Sequence, residues 1–257
     1  MTPNVYVSPA PYDPGNYPAI LYRNVFLEGT VVASGEEPGF PFENALDTLT
    51  SDFWIPDALP ATLTLTLGTP QTVDCLGFVG EPNGCTFLVE YFDGALWQTA
   101  AIFTPTSGVW MGFFAGLSDV DLRVRITGAT PPAIAVLCLG EALRAERRIY
   151  VGHSPITLSR VTDATTMIAE GGQYLDRAIV RRGVKTSIAF KNCTQDWYRD
   201  EFDPFVEVAR TTPFFWAWRP MDYREAAYVW TSADIAPNNA QPNGLMEVSF
   251  GVTGVAE

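Results

Sequence analysis

The sequence predicts a mostly β protein with two units: an N-terminal β-sandwich and a C-terminal β-rich unit that holds one short helix. Short runs in which apolar and polar residues alternate recur along most of the chain, as in half-buried strands. Glycine and proline, with 21 and 20 of the 257 residues, separate these runs. Many short strands joined by turn residues are typical of sandwiches and jelly rolls.

Residues 1–19 are predicted to form an extended arm. They contain five prolines and no periodic apolar pattern, so they offer no face that a core could bury. Such a segment is expected to become ordered against a neighbouring molecule. Tyr6 and Tyr12 are therefore candidate contact residues.

Residues 20–140 form the predicted sandwich. In "ATLTLTLG", residues 61–68, leucine alternates with threonine, which places Leu63, Leu65 and Leu67 on one face. The pair Asn83-Gly84, between two further strand segments, suits a tight hairpin turn. The remaining predicted strands are "VDCLGFVG", "CTFLVEYFDG", "LWQTAAIFT", "VWMGFFAG", "VDLRVRITG" and "AIAVLCLGEAL".

Residues 141–257 form the second predicted unit. Its one helix is expected in "DEFDPFVEVARTT", with Asp203 as N-cap, Pro204 at the first helical position and an end before Pro213. The predicted strands around it are "ITLSRVT", "YLDRAIVRR", "VKTSIAFKN", "FFWAWRP", "AAYVWTS" and "LMEVSFGVTG".

The densest apolar stretch is "PFFWAWRPMDY", residues 213–223. A strand with large groups on both faces is normally covered on both. The domain core would cover one face, and the helix at 204–210 or a neighbouring subunit the other. The alternative is an aromatic platform on which sugars stack. Strand alternation separates Phe214, Trp216 and Trp218 from Phe215, Ala217 and Arg219.

Charge is unevenly distributed along the chain. The net charge is −13, and residues 1–140 hold 14 Asp and Glu against three Arg, whereas residues 141–257 hold 15 against 13 Lys and Arg. An acidic protein lacks the basic face that nucleic acid needs, so nucleic-acid binding is excluded. The change in composition predicts a boundary near residue 140, with the two halves facing different surroundings.

The cysteine and histidine pattern gives no sign of a metal, a cofactor or an active site. Cys75, Cys85, Cys138 and Cys193 lie far apart and are expected to be small buried hydrophobes. The single histidine, His153, has only the adjacent Ser154, which on a strand would point to the opposite face. No phosphate-binding loop or nucleotide motif is present. Twenty-nine carboxylates provide pairs by chance, so a glycosidase is not indicated.

No apolar run approaches the roughly 18 residues that a membrane-spanning helix needs, so membrane insertion is not expected. The first residues, "MTPNVYVSPAPYD", lack the basic and apolar regions of a signal peptide. We therefore expect a protein that is made in a cytoplasm and stays soluble there.

The stretch "PFENALDTLTSDFWIPD", residues 41–57, is a candidate ligand loop with two interpretations. Asp47, Ser51 and Asp52 could cap backbone N–H groups while Trp54 plugs the end of the sandwich. Alternatively these oxygen-bearing side chains and Trp54 could form a site for a ligand or for Ca²⁺. The residues favour the plug.

Residues 20–140 resemble discoidin-like, or galactose-binding-like, jelly rolls. The resemblance rests on Ala45-Leu46-Asp47, on Ser51 to Trp54, on Leu67-Gly68 and on Val73-Asp74 followed by Leu76-Gly77. It implies a jelly roll whose loops could bind carbohydrate. Calcium-binding relatives have Asp-Gly-Asn or Asp-Gly-Asp where this chain has Asp47-Thr48-Leu49, so no metal is expected.

The second half resembles the C-terminal region of minor tail or tail-tip proteins of long-tailed bacteriophages. The segments concerned are "DRAIVRRGVKTSIAFKNCTQDW", "EFDPFVEVARTTPFFWAWRP" and the ending "NGLMEVSFGVTGV". The resemblance implies a virion structural protein at the distal tail. Such a protein would assemble in the host cytoplasm into a homo-oligomeric ring that links the tail tube to the hub or fibres, in contact with other tail proteins.

Two functions follow as hypotheses. The first is this non-enzymatic structural role, and the second is a carbohydrate-binding module that reads host-surface glycans. Arginine is preferred over lysine at protein interfaces. With the two arm tyrosines, the candidate assembly residues are Arg144, Arg147, Arg148, Arg181, Arg182, Trp216, Trp218 and Arg219.

Overall fold

The computed structural model of the protein describes residues 3–8, 12–148, 154–239 and 244–256. Within them the chain is mostly β, as predicted, with a sandwich followed by a second β-rich unit that contains a short helical segment. The strands are β1 (Val5–Val7), β2 (Ala19–Leu21), β3 (Thr30–Ala33), β4 (Ala61–Glu81), β5 (Thr86–Phe92), β6 (Trp97–Phe103), β7 (Val109–Thr127), β8 (Ala133–Gly140), β9 (Leu143–Arg144), β10 (Arg160–Ile168), β11 (Tyr174–Cys193), β12 (Phe214–Ala217), β13 (Ala226–Thr231), β14 (Pro237–Asn238) and β15 (Met246–Val255).

Short helices lie between these strands. They are 3-10 turns at Val25–Glu28, Phe42–Ala45 and Ile156–Leu158, helix α1 (Gln195–Trp197), a π-helical turn at Tyr198–Phe202 and helix α2 (Asp203–Ala209). None of the helices in the described ranges has the length and apolarity to cross a membrane.

Two long strands, β4 and β7, build both layers of the sandwich. Their pairing shifts register twice, between Thr66 and Gln71 and between Val73 and Cys75 of β4, and such irregularities bend a strand. The first part of β4 pairs with β3 and with the last part of β7, which continues to β5 and β6. The later part of β4 pairs with β8 and with the first part of β7, to which β1 adds in parallel.

The first core lies between these two layers. Leu63 and Leu65 from one layer share a buried cluster with Leu76 and Phe78 from the other, so leucine faces inward as predicted. Trp54 is fully buried in the same cluster. The predicted tight turn is also present, because Asn83 and Gly84 both have positive φ, at 49° and 72°.

The second sheet has the strand order β10-β11-β15-β13-β12-β2-β9, with β14 on β15. Its second core lies against the helical segment and contains Phe190, Phe205, Trp216 and Phe250. Strand β2, from the beginning of the chain, adds to β12 in this sheet. Residues on both sides of the predicted boundary at 19 and 20 therefore belong to the second unit.

The predicted arm differs from the expectation in its described part, because it packs on its own chain. Val5 is fully buried, and β1 pairs with β7. The Asn4 side chain accepts a hydrogen bond from the Ala226 N–H at 2.8 Å and donates to the carbonyls of Ala226 and Ala256 at 2.7 and 3.3 Å. These bonds fix residues 3–8 across both units, so this part of the arm is not free to clamp a neighbour.

A third apolar cluster joins the two units. Phe215 of β12 packs against the outer face of the sandwich with Met111 and Phe113. A Cβ on Gly77 would lie 2.6 Å from the Phe215 ring, which shows how closely the two sheets approach. The first unit therefore covers one face of the aromatic run, where the sequence had suggested the helix or another subunit.

The helix begins earlier than predicted. Thr194 is the N-cap of α1, and its hydroxyl accepts a hydrogen bond from the Trp197 N–H at 3.3 Å. The π-helical turn connects α1 to α2, so Asp203 lies inside the helical segment and does not act as its cap. Asp203-Pro204 fits a helix start by pattern, but the chain upstream is already helical.

Strands β10 and β11 extend beyond the sheet as a two-stranded ribbon. Strand β11 pairs with β15 only from Val184 onward, whereas residues 174–182 pair with β10 alone. Almost every residue from 160 to 182 is exposed. We call residues 160–182 the projecting hairpin.

Candidate functional site

The projecting hairpin exposes an unusual amount of apolar side chain. Ile168 is 63% exposed and Val180 is 69% exposed. Single exposed apolar residues are ordinary, but a contiguous group of them marks an interaction surface. The other large apolar residues exposed on it are Val161, Met167, Tyr174, Leu175 and Ile179.

One face of the hairpin combines apolar residues with arginine. Residues paired across a ribbon share a face, and the register shifts leave Leu175 and Val180 unpaired. The pairs on one face carry three arginines and no carboxylate, and we call it the arginine face: Arg160–Val184, Thr162–Arg182, Ala164–Ile179, Thr166–Arg177 and Ile168–Tyr174. The opposite face pairs Asp163 with Arg181, with 3.5 Å between their charged atoms.

A groove of about 460 Å³ lies at the base of the hairpin, where it leaves the sheet. Ile179, Val184 and Val255 give it an apolar lining, and Arg160 and Arg182 line it with positive charge. We call it the basal groove. It continues the arginine face into the body of the second unit.

A second concave site lies between the two units. This cleft has a volume of about 540 Å³. Two aromatic side chains, Tyr22 and Trp197, line it together with the carboxylates of Glu141 and Glu201. Arg23 also lines the cleft and forms an ion pair with Glu28 at 2.9 Å. We call it the interunit cleft.

Arg144 and Tyr12 form polar contacts inside the chain, next to this cleft. Arg144 forms an ion pair with the buried carboxylate of Asp74, whose other oxygen accepts a hydrogen bond from the Ala142 N–H at 2.8 Å. Arg144 also donates to the Tyr12 hydroxyl at 3.1 Å. Burial raises the pKa of Tyr12, and Arg144 opposes that shift. Both side chains are thus engaged within the chain.

Other predicted assembly residues are also held inside the chain. Trp216 is fully buried in the second core. Arg219 forms an ion pair with Asp222 at 2.7 Å, and Trp218 stacks on Tyr223 with 5.3 Å between ring centroids. Tyr6 packs edge-on against Trp110 at 5.9 Å, and its hydroxyl accepts a hydrogen bond from the Thr106 N–H at 3.1 Å.

Four predicted assembly residues lie at the surface, in two places. Arg181 and Arg182 lie on the projecting hairpin. Arg147 and Arg148 are exposed elsewhere, with the Arg148 guanidinium 5.4 Å from the centre of the Tyr17 ring. The predicted set therefore does not form one surface.

The predicted ligand loop has the geometry of the structural alternative. The Asp47 carboxylate accepts a hydrogen bond from the Leu49 N–H at 2.7 Å, so it caps its own turn. Trp54 is 0% exposed and donates from its indole nitrogen to the Gly35 carbonyl at 3.3 Å. Its ring has no face on which a sugar could stack. Ser51 and Asp52 are exposed nearby.

Within the described ranges no three His, Cys, Asp or Glu side chains come close enough to hold a metal ion. All four cysteines are free and buried. Burial raises the pKa of the Cys193 thiol to about 11, and it also raises the pKa of the Cys138 thiol, so neither is a reactive thiolate. His153 lies outside the described residues.

Sequence reasoning placed Arg181 and Arg182 on an assembly surface, but it missed the exposed apolar residues of the hairpin and the interunit cleft. The hairpin has a weak sequence signal, because "YLDRAIVRR" places apolar and charged residues on both faces of one strand. The cleft has none, since Tyr22, Glu141 and Trp197 come from distant parts of the chain.

No family model and no curated protein matches the chain. Its similarities to solved structures are partial. The structure of SpGH29 is 23% identical with a TM-score of 0.42, and the match covers 47% of this chain and 28% of that one. This chain thus spans little more than a quarter of that protein.

Two smaller structures are matched over nearly their whole length. CBM32 of AlyQ in complex with 4,5-unsaturated mannuronic acid is 20% identical, with 46% of this chain and 96% of that chain covered and a TM-score of 0.39. The family 32 CBM from C. perfringens NanJ in complex with galactose is 18% identical, with 48% and 98% covered and a TM-score of 0.40.

Proposed function

We propose that this protein is a non-enzymatic structural protein that assembles with copies of itself through the projecting hairpin. The observation that carries the proposal is the set of seven large apolar side chains exposed on residues 160–182. A two-stranded ribbon is marginally stable alone in water, and an exposed apolar ribbon gains stability when a partner covers it.

The setting we propose is the distal tail of a long-tailed bacteriophage, where copies of the protein would form a ring that links the tail tube to the hub or fibres. This part rests on the resemblance of the second half, whose first segment, "DRAIVRRGVKTSIAFKNCTQDW", begins on the hairpin. A ring of identical subunits needs two complementary surfaces on each copy.

The mass of the protein in solution, measured by sedimentation over a range of concentrations, tests self-assembly. We expect a closed oligomer for the wild type and a monomer for the double variant Ile168→Glu/Val180→Glu, with unchanged circular dichroism because both side chains are already exposed. Val32→Glu, on an exposed residue of β3, is the matched control and should assemble normally. A wild-type monomer at every concentration would refute the proposal.

A second candidate function is carbohydrate binding in the interunit cleft. Sugars combine apolar faces with many hydroxyl groups, and the cleft offers the Trp197 and Tyr22 rings beside both carboxylates and guanidinium groups. This location differs from the loop at Asp47–Trp54, whose tryptophan is buried. The sugars named for the solved structures belong to those proteins, and the argument for this chain rests on the cleft.

Binding to an oligosaccharide array, followed by calorimetry on the sugars retained, tests this second function. We expect Trp197→Ala and Glu141→Gln each to weaken binding about tenfold, or about 1.4 kcal/mol. Trp230→Ala is the control, since Trp230 is an exposed tryptophan outside the cleft. Binding that survives both cleft variants would refute this site.

A further inference from the structure

We infer that the basal groove receives the loop tip 47–52 of a second copy of this chain. The inference rests on the proposed self-assembly and names the two surfaces that meet. The basal groove combines the apolar side chains of Ile179, Val184 and Val255 with the guanidinium group of Arg182. Its partner should therefore present an apolar side chain between carboxylates.

The loop tip has this chemistry. Leu49 is 51% exposed and lies between Asp47 and Asp52, both of which are exposed. We call residues 47–52 the acidic tip. It belongs to a loop, residues 34–57, that carries six carboxylates and no Lys or Arg, and none of these carboxylates takes part in an ion pair among the described residues.

The acidic tip is held in a fixed shape. The Asp47 carboxylate accepts the Leu49 N–H at 2.7 Å, and the Thr48 carbonyl accepts a hydrogen bond from the Tyr228 hydroxyl of the second unit at 3.2 Å. A tip that is ordered before binding loses little conformational entropy when it docks. These two hydrogen bonds hold the backbone of the tip while the Leu49 side chain stays half exposed.

Charge complementarity favours a second copy as the occupant. Arg177 and Arg182 on the arginine face have no ion-pair partner in the part of the chain that the structure describes. The acidic tip supplies carboxylates that likewise lack a cation. Because groove and tip are different surfaces of one chain, their contact joins copies head to tail, which generates a ring or a helix.

Two variants that each damage one surface test the inference in the full-length protein. The groove variant is Ile179→Glu/Arg182→Glu, and the tip variant is Leu49→Lys/Asp52→Lys, which keeps the Asp47 cap. The matched control is Leu96→Lys/Asp234→Lys, at an exposed leucine and an exposed aspartate outside the loop 34–57. We expect the groove and tip variants each to weaken self-association at least about tenfold. The control should assemble like the wild type.

Mixing the two variants gives the decisive result. Each mixture partner retains one intact surface, so an equimolar mixture should associate under conditions in which each variant alone stays monomeric, as measured by sedimentation or mass photometry. If the tip variant assembles normally and the groove variant is monomeric, the hairpin mediates assembly. The acidic tip is then not its partner, and the inference is overturned. A mixture that stays monomeric would also overturn it. Wild-type protein that is always monomeric would overturn the proposed function as well.

Discussion

Trp54 shows how one residue can suggest a function that its surroundings rule out. A tryptophan beside Asp52 and Ser51 has the composition of a sugar-binding loop. The structure buries its ring completely in the first core and satisfies its indole N–H with the Gly35 carbonyl. Its role is packing.

Trp54→Ala should therefore lower the free energy of unfolding by about 3–5 kcal/mol, because it leaves a large cavity in the core. Urea denaturation followed by circular dichroism measures this change. Trp230→Ala, at a tryptophan that is 43% exposed, should change stability by less than about 0.5 kcal/mol. Equal effects of the two substitutions would contradict the assigned burial.

Glu225 is a buried carboxylate with one oxygen that has no hydrogen-bond partner among the described residues. Burial raises the pKa of this side chain. The folded state therefore binds a proton at higher pH than the unfolded state does. The stability that Glu225 contributes is present at low pH and is lost as pH rises through its folded pKa.

Glu225→Gln should accordingly stabilise the protein at pH 7, because glutamine cannot become charged. The gain should shrink as pH falls to about 4, near the ordinary pKa of glutamate, where the wild-type carboxyl is protonated. Urea midpoints of both proteins at the two pH values measure it. A gain that does not depend on pH would show that ionisation of Glu225 is not the cause.

At the scale of single elements, the helical segment shows that a local helix-start pattern can lie in the middle of a longer helical segment. Asp203-Pro204 has the pattern of a helix start, yet Thr194 provides the N-cap nine residues earlier. The π-helical turn at Tyr198–Phe202 directs Phe202 and Phe205 into the second core. Packing of these rings, which no local pattern reveals, decides where the helix begins.

Thr194→Ala should cost about 1 kcal/mol, because the Trp197 N–H loses its acceptor. Asp203→Ala should cost less than about 0.5 kcal/mol, since Asp203 is exposed and caps nothing. Thermal or urea unfolding of both variants distinguishes the two positions. A larger loss for Asp203→Ala would place the helix start where the sequence pattern did.

The projecting hairpin carries the proposed assembly surface, and the sequence analysis placed only Arg181 and Arg182 of it among the candidate assembly residues. Its strands were predicted, but their exposure was not. Strand periodicity reports which residues share a face, and it does not report whether another layer covers that face. Strands β10 and β11 extend beyond the end of β15, and their residues beyond it are exposed on both faces of the hairpin.

At the scale of the whole molecule, the two units share a core. The third cluster places Phe215, Ala217 and Tyr228 of the second sheet against Cys75, Met111 and Phe113 of the sandwich. Strands β1 and β2 and the Asn4 side chain connect the same surfaces. The boundary expected at residue 140 is thus crossed by buried contacts.

A fragment comprising residues 1–140 should aggregate or bind a hydrophobic dye, because removal of β12 and β13 exposes one face of β4 and β7. Light scattering and dye fluorescence of the purified fragment, compared with the full chain, measure this. A soluble fragment with a cooperative unfolding transition would show that the sandwich folds alone and that the shared layer contributes little.

The sequence by itself determined the β-rich class, the inward-facing leucines of β4, the Asn83-Gly84 turn and the buried cysteines. Each of these follows from residues close together in the chain, where alternation, turn chemistry and hydrophobicity act directly. Only the tertiary structure decided that the N-terminal segment ties the units together, that the aromatic run lies between sandwich and helix, and that the hairpin stands free. Those outcomes depend on which distant surfaces meet, because burial is a property of the assembled layers and is not encoded in any single segment.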